Sequence, residues 1–262
     1  MLEHHRQSIK NLIEYYKDDD DTLAVILGGS IAKGLERADS DVDAMIIVTD
    51  RRYGELLSQN RLSECITDGC TYEGGYFDIK YYTKNYLQAV AERGSEPARN
   101  AFVKVKVFFS RDMEIDDIVS KIGMFQKSEK EEKQFSFYSA LKLQTDYFWG
   151  VSSDNNYLRI RTAADIALYC YRLLLLDNNV LFPCHRSLEQ TVSSLARRPA
   201  GIIDKGNKML AELTDEAMWE FVQTVLDFID YKPQKDYHEY LTRFIDDCEL
   251  WWYTERPNIT EW

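Results

Sequence analysis

The chain has 262 residues, 45% of them apolar, and a formal net charge of −12. That is enough hydrophobic chain for one large or two modest packed domains, while the acidic balance excludes a long nucleic acid, which is held through many phosphate contacts by clustered Lys and Arg. Five cysteines, Cys65, Cys70, Cys170, Cys184 and Cys248, are odd in number, widely spread and form no CxxC pair, so neither a disulfide framework nor a zinc knuckle is suggested and a reduced cytoplasm is expected. The longest mostly apolar run, Ile166 to Leu176, falls short of the roughly 18 residues that span a bilayer, so no membrane anchor is expected, nor a signal peptide in the polar opening MLEHHRQSIK.

Residues 2–17 carry Leu2, Ile9, Leu12, Ile13 and Tyr16 at helical spacing, and the run Asp18 to Asp21 ends that helix in a solvated turn. Thr22 to Leu27 reads as a short apolar strand, Ser30 to Arg37 as a turn or two of helix, and Asp41 to Val48 as a second strand followed by a helix over Tyr53 to Gln59. Alternation places a third strand at Tyr76 to Tyr82, with Phe77, Ile79 and Tyr81 on one face and Asp78, Lys80 and Tyr82 on the other. A helix over Tyr86 to Arg93 precedes a fourth strand from Val103 to Phe109.

From Ile115 onward the pattern is helical: Ile115 to Phe125, Glu129 to Trp149, Tyr157 to Leu176, Leu188 to Ala196, Asp204 to Leu213, Asp215 to Ile229 and Tyr237 to Tyr253. The change sets an expected boundary at residue 112, giving an α+β domain over 1–112, a small mixed twisted sheet with helices, and a helical bundle over 113–262.

The chemistry concentrates in LGGSIAKGLERADSDVDAMIIV, residues 27–48. It is not a P-loop, since Gly34 is followed by Leu35 and Glu36 rather than Lys and Ser or Thr, and its glycines have the wrong offsets for a dinucleotide fingerprint. Asp39, Asp41 and Asp43 have the first offsets of a calcium loop, but Ala44 stands at the turn glycine and a strand follows. What remains is a pair of carboxylates at a strand mouth. Side chains two apart on a strand share a face, about 6.6 Å apart along the backbone, so Asp41 and Asp43 can converge on divalent cations. Gly28 and Gly29 let the backbone approach a phosphate chain, and Ser30 offers a hydroxyl to anionic oxygens. Lys33 and Arg37 lie where either can reach phosphate or face solvent, Glu73 is a candidate base, and Lys142, Arg159 and Arg161 are candidate phosphate ligands from the helical half.

Gly28-Gly29-Ser30, ten residues, then Asp41-Val42-Asp43 and an apolar strand resembles the signature of the nucleotidyltransferase superfamily with the polymerase-beta-type fold, and Asp78 in GGYFDIK matches its third carboxylate. Ala98 to Phe102 with the strand behind it, and residues 178–188 (NNVLFPCHRSL), are similar to elements of the aminoglycoside and antibiotic nucleotidyltransferase branch. The resemblance implies catalytic, metal-binding roles for Asp41, Asp43 and Asp78, a nucleotide seat at Gly28, Gly29, Ser30 and Lys33, two Mg²⁺ ions, and transfer of NMP from an NTP, ATP by expectation, to a hydroxyl of a small molecule such as an aminoglycoside-like antibiotic, in a monomer or homodimer. A protein hydroxyl as acceptor, as in toxin–antitoxin systems, and a catalytically silent nucleotide-binding module are the alternatives it leaves open.

Overall fold

The computed structural model describes residues 1–254 and 257–262. The chain divides into two compact units, Met1–Met124 and Phe125–Trp262.

The first unit runs α1 (Glu3–Lys17), β1 (Thr22–Leu27), α2 (Gly29–Lys33), β2 (Val42–Val48), α3 (Asp50–Ser58), β3 (Ser63–Ile66), β4 (Phe77–Thr83), α4 (Lys84–Arg93), α5 (Glu96–Asn100), β5 (Lys106–Ser110) and α6 (Met113–Ile122). Its sheet has the order β3-β4-β2-β1-β5. The β2–β4 pair is parallel and the other neighbours are antiparallel. One face is covered by Ile9, Leu12 and Tyr16 of α1 together with Ile31 and Leu56, the other by Leu87, Val90, Phe102, Ile115, Val119 and Ile122. Helix starts follow side-chain capping: Thr49, Thr83, Ser95 and Asp112 each accept from a backbone N–H two or three residues on. Asp112 thus opens α6, a helix that packs on the sheet of this first unit.

Several elements differ from the periodicity. The helix expected over Ser30 to Arg37 is the shorter α2, stopped by Gly34 in the left-handed region at φ 72°. The fourth strand starts at Lys106 rather than Val103, because Phe102 to Val105 turns through Lys104 at φ 61°. The four-residue β3 is an edge strand whose Ser63, Glu64 and Cys65 carry no apolar alternation, so only its pairing with β4 defines it.

In the second unit, α7 (Lys130–Leu143) passes through a π-helical turn, Gln144–Phe148, into the short α8 (Trp149–Val151). There follow α9 (Asn156–Asp177), α10 (Leu188–Ser193), α11 (Ile202–Glu212), α12 (Asp215–Phe228) and α13 (Tyr237–Phe244), which continues into a second π-helical turn at Ile245–Glu249. The chain is buried almost continuously from Thr162 to Asp177, which makes α9 the axis of a helical core. Arg172 lies in that core with its guanidinium 4.3 Å from the ring centroids of both Phe137 and Phe182. No helix among the described residues is long and apolar enough to cross a membrane.

Candidate active site

The parallel β2–β4 ladder sets Asp43 directly opposite Asp78, so their side chains leave the sheet on the same face. Asp41 lies one residue before β2 begins, and its carboxylate is brought to the other two by the turn ahead of the strand. Each of the three residues offers an oxygen within 4.8 Å of the others. All three are half-buried. The pair expected from the spacing, Asp41 and Asp43, is thus joined by Asp78, the residue that the resemblance implies as the third carboxylate.

Burial, and then the charges of Asp41 and Asp78, push the Asp43 carboxyl up to about 6. The nearest cations acting on it are Lys80 and Lys33. Lys80, two residues beyond Asp78 on the same face of β4, holds its Nζ 3.9 Å from an Asp78 oxygen. The cluster is therefore a concentration of negative charge that its own side chains only partly offset. Three carboxylates and no soft donor form a set suited to a hard divalent cation such as Mg²⁺ or Mn²⁺.

The glycines frame this cluster closely. Gly28 is buried and donates its N–H to the carbonyl of Asp43 at 2.9 Å, tying the turn to the strand. Gly29 has φ 63°, and a Cβ there would lie 1.6 Å from Asp43 Oδ2. Only glycine permits the backbone to pass so near the carboxylate. Ser30 is half-buried within α2, and Lys33 ends that helix near enough for its charge to act on Asp43. Gly28 and Gly29 thus lie directly against Asp43 on β2.

The phosphate ligands expected from the helical half are engaged locally. Lys142 pairs with Asp146 at 2.7 Å, Arg161 pairs with Asp165 at 2.8 Å, and Arg159 stacks over Trp149 at 4.0 Å. Glu73 is exposed in the turn before β4, and Arg37 is paired with Asp39 at 3.0 Å. His185 packs edge-on to Phe182 and faces Glu261 at 3.3 Å.

Periodicity had no means of finding three neighbours of the cluster. Tyr76 Oη donates to Asp41 Oδ2 at 3.1 Å. Tyr72 Oη donates to the carbonyl of Ser40 at 2.6 Å. Cys65 on β3 is the register partner of Asp78 and is exposed. The signal for the tyrosines is the tight spacing Tyr72-Glu73-Gly74-Gly75-Tyr76, which only has meaning once the turn is folded against residues 40 and 41.

The parallel strand pair thus bears three convergent carboxylates beside a glycine turn. Residues 9–134 match the family model described as nucleotidyltransferase domain. No curated protein matches the sequence. Among solved structures, a nucleotidyltransferase-like protein from Exiguobacterium sibiricum is similar at 11% identity and TM-score 0.44, over 91% of this chain and 75% of that one. Spectinomycin adenyltransferase AAD(9) from Enterococcus faecialis, solved with ATP and spectinomycin, is similar at 12% identity and TM-score 0.34, over 91% of this chain and 96% of that one.

Proposed function

We propose that the protein transfers AMP from ATP to a hydroxyl of a small molecule, of the aminoglycoside-like antibiotic class, and releases pyrophosphate. The observation that carries this reading is the meeting of Asp41, Asp43 and Asp78 within 4.8 Å. In the reaction a bond forms between the acceptor oxygen and the α-phosphorus, and the bond from that phosphorus to the bridging oxygen of pyrophosphate breaks. Asp41, Asp43 and Asp78 would hold two Mg²⁺ ions, which when bound supply Lewis-acid polarisation and charge neutralisation at the phosphates.

The chain's own residues do the rest. Gly28 and Gly29 leave room for the triphosphate against the backbone, Ser30 donates its hydroxyl to a phosphate oxygen, and Lys33 offsets phosphate charge. Asp78 is the carboxylate assigned to accept the acceptor's proton. The acidic balance of the chain favours a small acceptor over a nucleic acid, and a reduced cytoplasm is the compartment this reading assumes.

The test is pyrophosphate release by purified protein with Mg²⁺, labelled ATP and a panel of aminoglycosides and related polyols. Release with some acceptor, abolished in the Asp41→Ala/Asp43→Ala variant, is the expected result. Release that persists in that variant refutes the assignment. Label transferred to a co-purified protein instead of the panel would make the acceptor a protein hydroxyl.

A further inference from the structure

Asp41 is the one carboxylate of the cluster that no strand holds. Asp43 and Asp78 are fixed by the β2–β4 ladder, whereas Asp41 precedes β2 at the end of an exposed turn. Its neighbours in the cluster are both acidic, so mutual repulsion favours rotamers that turn it outward. Something must hold it in.

The segment 72–76 supplies the restraint. Tyr76 Oη donates to Asp41 Oδ2 at 3.1 Å, while the main-chain carbonyl of Tyr76 accepts from Val42 N–H at 3.0 Å. One residue therefore grips both the carboxylate and the first peptide of β2. Alongside it, Tyr72 Oη donates to the Ser40 carbonyl at 2.6 Å, and Ser40 Oγ accepts from Arg37 N–H at 2.9 Å. The Tyr72 ring reaches that position because Gly75 is bare: a Cβ there would stand 2.5 Å from the ring. The ring is also packed by His4 and His5 of α1, with centroids 4.6 Å and 5.0 Å away.

We propose that Tyr76 is a positioning residue for Asp41, orienting one oxygen of that carboxylate so that the other faces the cluster, with Tyr72 and Gly75 fixing the turn from which it acts. The proposal rests on the metal-binding reading of Asp41, Asp43 and Asp78. A hydrogen bond to a ligating carboxylate can either pre-organise it or draw charge from it. Here the free carboxylate is opposed by two like charges, so orientation outweighs charge withdrawal, and loss of the hydroxyl weakens metal binding.

The experiment is titration of Mn²⁺ into the full chain, free Mn²⁺ being followed by electron paramagnetic resonance, for the wild type, Tyr76→Phe, Asp41→Asn and Tyr15→Phe. Tyr15 is largely exposed on α1, outside the cluster. Tyr76→Phe keeps the ring, and thermal melting in chelator confirms that it folds. The expected result is a loss of Mn²⁺ affinity of about tenfold or more in Tyr76→Phe, the scale set by residues that orient a metal ligand, with Tyr15→Phe unchanged. Affinity in Tyr76→Phe equal to or tighter than wild type, while Asp41→Asn loses it, overturns the positioning role alone. A wild type that takes up no Mn²⁺, or an Asp41→Asn variant that binds as wild type does, overturns the metal reading and this proposal with it.

Discussion

Asp43→Asn removes a charge from a place where charge is costly. The folded Asp43 carboxyl titrates at about 6 against an ordinary 3.8, so the folded chain binds this proton more tightly than the unfolded one. Below about pH 4 the group is protonated in both states and contributes nothing. As pH rises through 6, the folded state must give up a proton it holds tightly, and metal-free stability falls. The displacement corresponds to about 3 kcal/mol if taken whole. The side chain is only half-buried, and screening reduces this to about 1–2 kcal/mol. The isosteric amide carries no such cost. In chelator at about pH 7.5 the variant should therefore melt some 3–8 °C higher than wild type, and this gain should vanish near pH 4. Adding Mg²⁺ or Mn²⁺ should stabilise the wild type and leave the variant unmoved, reversing their order. Scanning calorimetry under the four combinations of pH and metal measures all of this. A variant less stable than wild type in chelator at neutral pH would refute the account of the site as an uncompensated acidic cluster.

Gly29→Ala and Gly34→Ala form a matched pair. Both glycines have positive φ, 63° and 72°, but a Cβ at residue 29 meets Asp43 Oδ2 at 1.6 Å while one at residue 34 meets nothing within 4 Å. Both should lose about 1 kcal/mol to backbone strain, yet only Gly29→Ala should lose its metal-induced rise in melting temperature, and equal responses would contradict the close approach. On the other face of the sheet, Tyr16 and Tyr81 share a hydrogen bond of 2.7 Å, and Tyr81 donates to Glu64 at 2.8 Å. Tyr16→Phe should cost about 1–2 kcal/mol in urea denaturation. Burial raises the Tyr16 phenol to about 12, so the folded state keeps that proton as pH climbs past the ordinary phenol value near 10 and stability declines through 12. Ultraviolet titration of tyrosinate checks this, and a Tyr16→Phe curve identical to wild type would count against it.

Part of the cluster was legible in the sequence because it follows local rules: glycines where the backbone nears an anion, and carboxylates two apart at a strand mouth; alternation put Asp78 on the polar face of its strand, but only the family resemblance joined it to the other two. What periodicity could not reach is whatever depends on a partner. Ser63 to Ile66 is a strand only because β4 lies beside it. Tyr76 looks like the first residue of an alternating strand, and its hydroxyl gains a role only when the turn before β4 meets Asp41. The run from Glu129 to Trp149 reads as one helix, but its register shifts through a π-helical turn at Gln144–Phe148, where Thr145 Oγ1 caps the Leu141 and Lys142 carbonyls. The second strand began one residue late for the same reason: Asp41 serves the cluster rather than the ladder.

The pairing of β2 with β4 has a consequence for how the chain reaches its native state. Asp43 and Asp78 are joined by the sheet's one parallel ladder, across an excursion that includes α3 and β3. Such a non-local pair costs loop entropy before its contacts are rewarded, and here two like charges stand opposite each other in register. Chemistry thus depends on long-range pairing: a chain with only its local helices and hairpins made would have the acidic residues but no place where they meet.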